Sequence, residues 1–192
     1  MRKLLYAFGL TSALVFALAA QAAAPNFAGT WTLDKSKSQG LSQRVQNAES
    51  VSWIITQTDK NITIEEKIAG GGGPGGPGGP PAGAPATGGP PQGGGRGGMM
   101  GGMGGPRTYN LDGTESTGDT GRGKFARKAT VSADGKTLEL VQKITGQTPD
   151  GTEFVATSTD KLTLSADGKM LTVVRHSESP RGTQDSTLVF NK

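Results

Sequence analysis

The sequence predicts an all-β protein: an antiparallel up-and-down meander that closes into a barrel of about 8 to 10 strands. Short runs rich in Val, Ile, Thr and Phe alternate with turn signals at roughly 8 to 12 residue spacing. Helix signals are nearly absent, with one short helix predicted over residues 41–48, so parallel crossovers have no helices to run through. Tight turns between sequential strands are predicted where residues that tolerate positive φ occur, at Asp59-Lys60-Asn61, Asp112-Gly113, Asp134-Gly135, Asp150-Gly151 and Asp167-Gly168.

The first residues have the layout of a secretory signal peptide. Two basic residues precede an apolar run from Leu4 to Ala20, and the small-residue segment Ala20-Gln21-Ala22 ends it. The run is shorter than the roughly 20 apolar residues that a membrane span needs. We therefore expect residues 1–22 to be removed. The mature protein would be secreted, in the periplasm or associated with the cell envelope, and would not be an integral membrane protein.

A Gly/Pro tract with three methionines occupies residues 70–106. It offers too little apolar surface to offset the entropy of ordering its backbone, and its prolines cannot donate ladder hydrogen bonds. We predict a long disordered Gly/Pro/Met loop that interrupts a single barrel domain, residues 23–192. The loop lies between two strand-like runs, 61–68 and 107–111, as an enlarged hairpin connection would.

The charge balance gives no sign of a nucleic-acid partner. Loss of Arg2 and Lys3 with the signal peptide leaves 18 basic residues against 16 acidic ones. Nucleic-acid binding requires a dense basic patch, and no window of the sequence contains one. We therefore predict no nucleic-acid partner, while the sequence leaves protein partners undefined.

The opening of the mature chain resembles a known family of barrels. Residues 27–38 read Phe-Ala-Gly-Thr-Trp-Thr-Leu-Asp-Lys-Ser-Lys-Ser. Gly29-Thr30-Trp31 resembles the start of the first strand in lipocalins and intracellular fatty-acid-binding proteins, which are calycin barrels. The longer run resembles uncharacterised secreted bacterial proteins that begin Phe-x-Gly-Thr-Trp-x-Leu-Asp-x-x-Lys-Ser, and residues 165–176 and 188–192 resemble the end of those same proteins.

This resemblance implies a lipocalin-like fold in which Gly29 and Trp31 form a barrel-end motif, with the indole closing one end. Fatty-acid-binding proteins also carry an Arg-x-Tyr pair on the last strand that grips the ligand carboxylate. The last strand of this chain has no such pair. A free fatty acid held in that way is therefore not implied.

Alternation with a period of two predicts which side chains face the barrel interior. The apolar inward set is Val51, Trp53, Ile55, Ile62, Ile64, Ile68, Phe125, Ala129, Val131, Leu138, Leu140, Ile144, Phe154, Ala156, Leu162, Leu164, Leu171, Val173, Leu188 and Phe190. The same alternation turns some polar residues inward: Glu66, Arg127, Ser158, Asp160 and Arg175. A buried charge needs a partner, so each one lies near an open mouth, pairs with another, or faces a polar group of a ligand.

The residues that could carry catalysis are few. The chain has no cysteine and one histidine, His176, which lies on a predicted strand, so we expect no catalytic residues, metal site or cofactor. The aspartates occur at turns, where backbone geometry accounts for them. Met99, Met100 and Met103 could offer thioether ligands to Cu(I), but we attribute them to the biased composition of the loop rather than to a metal site.

The sequence therefore predicts a non-enzymatic protein that binds a small apolar or amphipathic ligand in the barrel. The predicted ligand-binding residues are Arg127 and Arg175 for a polar head group, with Trp53, Phe125 and Phe154 as apolar contacts. An alternative stays open: an envelope structural or interaction protein whose barrel is filled by its own side chains and whose Gly-rich loop reaches partners. An interior cavity distinguishes the two hypotheses.

Overall fold

The computed structural model describes residues 25–70, 105–120, 123–148 and 150–192. The predicted signal peptide (1–22) and nearly all of the predicted loop (70–106) lie outside these ranges. Within them, the chain forms one helix, α1 (Gln43–Asn47), and ten strands: β1 (Gly29–Leu33), β2 (Ser50–Gln57), β3 (Asn61–Ala69), β4 (Arg107–Asn110), β5 (Ser116–Asp119), β6 (Gly123–Val131), β7 (Thr137–Gln147), β8 (Glu153–Leu164), β9 (Met170–Ser179) and β10 (Gly182–Asn191).

All ten strands belong to one antiparallel sheet, in the order β4-β3-β2-β1-β10-β9-β8-β7-β6-β5. The first strand pairs with both β2 and the last strand, which joins the two ends of the meander in the middle of the sheet. Trp31 lies opposite Trp53 in this pairing, and Leu33 lies opposite Phe190. The predicted fold class, an antiparallel up-and-down barrel of about 8 to 10 strands, is confirmed.

The barrel is nearly closed at its two edge strands, β4 and β5. No backbone ladder between these strands is present in the described part of the chain. Side chains bridge the gap instead: the Ser116 hydroxyl donates to the Thr108 carbonyl at 3.3 Å, and the Arg127 guanidinium on β6 lies 6.0 Å from the ring centroid of Tyr109 on β4. The sheet therefore encloses an interior.

Four of the predicted turns place a glycine at positive φ, between 67° and 84°: Gly113, Gly135, Gly151 and Gly168. In the turn 132–136, the carboxylate of Asp134 accepts hydrogen bonds from the Ser132 hydroxyl and the Lys136 amide. These bonds lower the pKa of Asp134. The same five residues, Ser-Ala-Asp-Gly-Lys, recur at 165–169 with the same hydrogen bonds. The aspartates at these two turns act on the backbone, as the sequence predicts.

The turn at 59–61 joins β2 to β3 where predicted but not with the predicted backbone. No non-glycine residue in the described ranges has positive φ. The Thr58 hydroxyl instead accepts hydrogen bonds from the amides of Lys60 and Asn61, at 3.3 and 3.1 Å. A threonine turn therefore replaces the expected positive-φ conformation.

The short helix α1 lies within the predicted range, between β1 and β2. Leu41 and Val45 pack against the barrel core from this segment. The ammonium group of Lys35 donates to the carbonyls of Gln46 and Ala48 at the carboxyl end of the helix, where a cation is favourable. No helix in the described ranges is long and apolar enough to cross a membrane.

The residues that follow β1 fasten it to the last strand. The carboxylate of Asp34 accepts hydrogen bonds from Ser36 at 2.6 Å, from the Lys37 ammonium group at 3.2 Å and from the Asn191 side chain at 3.2 Å. These partners, Ser36 first, hold the pKa of Asp34 far below its usual value. The Ser38 hydroxyl accepts a backbone N–H of β10 at 2.9 Å. The Asp-x-x-Lys-Ser part of the opening motif therefore has a structural role in this fold.

The predicted inward set is confirmed, because every one of its apolar residues is buried or half-buried. The outward positions of the same strands include Val155 and Val174, which are 51% and 50% exposed. The centre of the core consists of fully buried side chains: Leu138, Leu162, Leu171, Val173 and Phe190. Burial of large side chains on one face of each strand is the dominant stabilising contribution.

Candidate functional site

The interior changes from apolar to polar along the strands. On β6 to β9, one cross-strand row of inward side chains is wholly apolar: Val131, Leu138, Leu162 and Val173. The second row contains Ala129 and Leu140 beside Asp160 and Arg175, and the third contains Arg127, Gln142, Ser158 and Ser177. We define the polar half of the interior as Glu66, Arg107, Tyr109, Arg127, Gln142, Ser158, Asp160 and Arg175. The apolar half comprises the buried apolar residues on the other side of Trp53, among them Trp31, Leu138, Leu162, Leu171, Val173 and Phe190.

Side chains fill the apolar half. The rings of Trp53 and Phe190 lie with their centroids 4.9 Å apart, and both side chains are fully buried. The predicted barrel-end residues also lie here. The indole of Trp31 is fully buried and donates from Nε1 to the carbonyl of Phe27 at 2.8 Å. Gly29 has a φ of 141°, and a Cβ there would come within 2.9 Å of Cε of Lys192.

Trp53 marks the boundary between the two halves. Its Nε1 donates to the carboxylate of Glu66 at 3.1 Å, across the β2–β3 pair. The guanidinium carbons of Arg107 and Arg175 lie 5.7 and 5.5 Å from its ring centroid, which is cation–π distance. Trp53 is thus an interior residue, as predicted, and one face of the polar half is an aromatic ring surrounded by charged groups.

Arg175 is paired with Asp160. Its Nε and Nη2 donate to the two carboxylate oxygens at 2.6 and 2.8 Å, a bidentate ion pair between adjacent strands. Asp160 is 2% exposed. Burial lowers the pKa of Arg175, but the hydrogen bonds and charge of Asp160 outweigh burial and raise it overall. Of the options that the sequence left open for Arg175, pairing with another interior charge is the one observed.

Arg127 has no carboxylate partner among the described residues. Its Nε donates to the side-chain oxygen of Gln142 at 2.9 Å, and its guanidinium carbon lies 4.1 Å from the ring centroid of Phe125. Burial is the main cause that lowers the pKa of Arg127. The Arg127 guanidinium is therefore held by an amide oxygen and an aromatic ring, with no carboxylate partner in the described ranges.

Arg107 is the functional candidate that the sequence reasoning missed. It lies on β4 opposite Ile64, and its Nη2 atom is buried without a hydrogen-bond partner in the described structure. A buried donor without an acceptor is costly. The signal in the sequence was the segment Arg107-Thr108-Tyr109, whose first and third residues share one face of a strand.

Tyr109 lies on the same inward face and is 1% exposed. Burial is the main cause that raises its pKa above the ordinary value. The phenol is therefore neutral at physiological pH and carries a hydrogen-bond donor. Its hydroxyl makes no hydrogen bond to any residue that the structure describes.

An apolar rim lies beyond the polar half on β6 to β8. The rim consists of Phe125, Ile144, Ala156 and Phe154. These residues lie on the same inward face as Arg127, Gln142 and Ser158, two or four residues from them on the same strands. Both phenylalanines are half-buried, as befits residues near an open end. The Phe125 ring lies against β5, because a Cβ on Gly118 would come within 2.5 Å of it. Phe125 and Phe154 are thus placed where a bound molecule could contact them.

Two other features lie outside the barrel interior. His176 is exposed on β9, where its ring nitrogens lie 2.6 Å from Asp185 and 3.3 Å from Glu178. The hydrogen bond with Asp185 is the main cause that raises its pKa. A surface hollow of about 510 Å³ on β5 to β7 is lined mainly by outward residues, including Lys124 and Lys143. Within the described ranges, no group of three or more His, Cys, Asp or Glu side chains is placed to hold a metal ion.

No protein-family model and no curated protein matches this sequence. Among solved structures, the chain is similar to a zebrafish ileal bile-acid-binding protein crystallised with cholic acid. The two chains are 12% identical, the match covers 86% of this chain and 98% of the other, and the TM-score is 0.43. A likeness of this extent identifies no ligand for this chain. The sequence resemblance to secreted bacterial proteins stays a prediction.

Proposed function

We propose that this protein binds one small amphipathic molecule in the polar half of its barrel and does not convert it chemically. The observation that carries the proposal is the pair of interior arginines, Arg107 and Arg127, which have no carboxylate partner among the described residues. The apolar rim next to them supplies the second kind of contact that an amphipathic molecule needs.

The energetic argument starts from the buried Nη2 of Arg107. A buried polar group without a partner costs about 1–3 kcal/mol, and more for a charged group. Natural barrels of this size hold either side chains or one small ligand. A ligand that accepts hydrogen bonds from Arg107 would recover this cost, which gives binding a driving force beyond contact with Phe125 and Phe154.

The groups around the site favour binding over catalysis. Asp160 is engaged by Arg175 through both carboxylate oxygens, so it is not free to act as a base. The raised pKa of Tyr109 keeps its phenol protonated. A general base must be able to take a proton near neutral pH, and neither of these groups meets that requirement.

We also propose that the mature protein acts in the periplasm or cell envelope. The support is the signal-peptide layout of residues 1–22 in the sequence. Amino-terminal sequencing of the protein purified from fractionated cells tests this directly. A mature amino terminus at Ala23 in the envelope fraction is the expected result, and an intact leader in the cytosolic fraction would contradict it.

The rival function is a filled barrel that acts through protein contacts. The observation in its favour is the close packing of the apolar half, where Trp53 and Phe190 leave their rings fully buried. This rival requires the polar half to hold no ligand. The two functions therefore differ in whether the polar half of the barrel holds a ligand.

The test is native mass spectrometry of the mature protein from its own cells, followed by organic extraction and by titration with the neutral fluorophore N-phenyl-1-naphthylamine. We expect one bound molecule per chain, or saturable uptake of the fluorophore. Phe125→Ala should weaken uptake, whereas the matched control Val174→Ala on the exposed outer face should not. A ligand-free mass together with no uptake would support the filled barrel instead.

A further inference from the structure

One side of the outer barrel surface, on β6 and β7, is basic. Lys124 and Lys128 on β6 and Lys143 on β7 are all exposed and alternate with the inward residues of their strands. Lys143 pairs with Ala126, the outward residue between the two lysines of β6. Within the described ranges, Lys128 and Lys143 make no salt bridge. We call these three lysines the basic side.

The outer surface of β9 and β10 is acidic. Glu178 on β9 and Asp185 on β10 have side chains that are 65% and 79% exposed. Both flank the ring of His176, which lies 3.3 Å from Glu178 and 2.6 Å from Asp185. His176 carries at most one positive charge against two carboxylates, so this acidic side stays negative in either protonation state of the histidine.

The central strand β8 separates the two sides with short outward side chains. Thr157 pairs with Lys143 on β7 and with Glu178 on β9, so these two charges lie one strand away on opposite sides of β8. The outward Val155, two residues before Thr157, is 51% exposed. The outer face therefore has a basic flank, a nearly neutral centre and an acidic flank.

The next row of the same face repeats the arrangement. It runs from Lys128 on β6 through Val141, Thr159 and His176 to Asp185 on β10. Lys128 and Asp185 thus lie two strands away on opposite sides of β8. Opposite charges occupy equivalent positions about β8 in both rows.

We propose that this face docks on the same face of a second copy of the chain. A twofold axis in the contact plane, parallel to β8, places β6 and β7 of one copy against β10 and β9 of the other. Lys143 then faces Glu178 of the second copy, and Lys128 faces its Asp185. Each contact occurs twice by symmetry, so the face is electrostatically complementary to itself.

The distribution of side-chain lengths suits two curved surfaces. The outer faces of two barrels approach most closely at the centre, where Val155 and Thr157 are short, and they diverge toward the flanks, where Lys143 and Glu178 are long. A hollow of about 510 Å³ beside Lys143 on the basic side also leaves room for β10 of the second copy. The contact uses outward side chains, so it does not occupy the barrel interior.

The size of the face indicates a weak, reversible dimer. Five strands spaced about 4.8 Å apart give a face about 19 Å wide, whereas a standard interface buries about 800 Å² on each partner. Exposed ion pairs contribute little individually and are screened by salt. Association should therefore depend on protein concentration and on ionic strength.

The first experiment is sedimentation equilibrium of the mature protein at low and high salt. We expect a monomer–dimer equilibrium at protein concentrations up to about 1 mM. Its dissociation constant should rise at least about tenfold between about 0.01 M and about 1 M salt, since screening confines charge interactions to a few ångströms at the higher value. A monomer under all conditions, or a dimer indifferent to salt, would overturn the inference.

The second experiment reverses one charge on each side. Lys143→Glu and Glu178→Lys should each weaken self-association at least about tenfold, because each variant places like charges opposite one another at both symmetric contacts. Mixing the two variants should restore association, because every reversed position then faces the opposite charge. Failure of the mixture to associate more tightly than either variant alone would contradict the proposed contact.

A matched control separates this contact from a general attraction between oppositely charged proteins. Lys67 lies on the outer face of β3, outside the proposed contact, and its side chain is 56% exposed. Lys67→Glu changes the net charge as Lys143→Glu does, yet it should leave self-association of the otherwise unchanged protein intact and should not restore it when mixed with Glu178→Lys. If the unmodified protein stays monomeric and binds polyglutamate through Lys143, the basic side serves an acidic partner and the self-association is wrong.

Discussion

The apolar and polar halves of the barrel interior are both formed by inward side chains of the alternating strands. They differ in how completely their buried side chains are packed or hydrogen-bonded. In the apolar half, Trp53 and Phe190 are fully buried against each other. In the polar half, Arg175 is fully paired while Arg107 keeps a buried donor without an acceptor. The apolar half stabilises the fold, whereas the polar half contains a buried donor without an acceptor, which the proposed ligand would satisfy.

The largest expected effect comes from the apolar half. Phe190→Ala removes a fully buried ring that packs 4.9 Å from Trp53, and it should lower the free energy of unfolding by about 3–5 kcal/mol. Urea unfolding followed by tryptophan fluorescence measures the loss. The outward Val174→Ala should stay within about 0.5 kcal/mol of wild type. A loss of less than about 1 kcal/mol in Phe190→Ala would mean that this half is not the stabilising core.

The second effect concerns the part of the polar half that is already satisfied. Asp160→Ala leaves the Arg175 guanidinium buried without its carboxylate and should cost about 3 kcal/mol. Arg175→Met in the Asp160→Ala background should recover much of the loss, because the uncompensated charge is then gone. If Asp160→Ala were as stable as wild type, the contrast between paired Arg175 and unpaired Arg107 would disappear.

The contrast between the two halves also separates what the sequence could predict from what it could not. The inward faces of β2, β3 and β6 to β10 follow from alternation over eight or more residues, where an apolar stripe makes the direction of each side chain clear. The interior positions of Arg127 and Arg175 followed from the same stripes. The hydrogen-bond partners of these two arginines did not follow from the alternation.

Pairing depends on register between strands, which a single sequence does not define. Asp160 and Arg175 are 15 residues apart and meet only because β8 and β9 align them as direct neighbours. Arg107 was missed because β4 has four residues and one apolar side chain, Tyr109, so there is no stripe to follow. Its aromatic contact, the Trp53 ring, comes from β2, a strand that does not pair with β4.

A smaller effect is expected where β5 supports the rim. Gly118→Ala would place a Cβ within 2.5 Å of the Phe125 ring, so the ring must move, and overpacking of this kind costs about 1–2 kcal/mol. The Arg127 guanidinium stacks on that ring at 4.1 Å and should shift with it. Uptake of N-phenyl-1-naphthylamine should therefore fall together with stability. Gly151→Ala, in a turn where an added Cβ meets no neighbour, is the control. Its φ of 84° predicts a loss of stability without a change in binding, so it shows whether the loss of binding is specific to the rim.

The smallest effect is expected just after the end of β1, at the hydrogen bonds that Asp34 accepts from Ser36, Lys37 and Asn191. Hydrogen bonds from Ser36, Lys37 and Asn191 lower the pKa of Asp34 below its ordinary value of 3.8. A carboxylate with a lowered folded-state pKa contributes stability above its unfolded pKa, and it loses that contribution as the pH falls through the folded value. The stability difference between wild type and Asp34→Asn should therefore be constant at neutral pH and shrink below about pH 4. Thermal unfolding between pH 2 and pH 7 measures this, with Asp59→Asn in the β2–β3 turn as the matched control. A difference that grows as the pH falls would mean that Asp34 contributes through its neutral form, and that the opening motif fastens β1 to β10 by a mechanism other than charge.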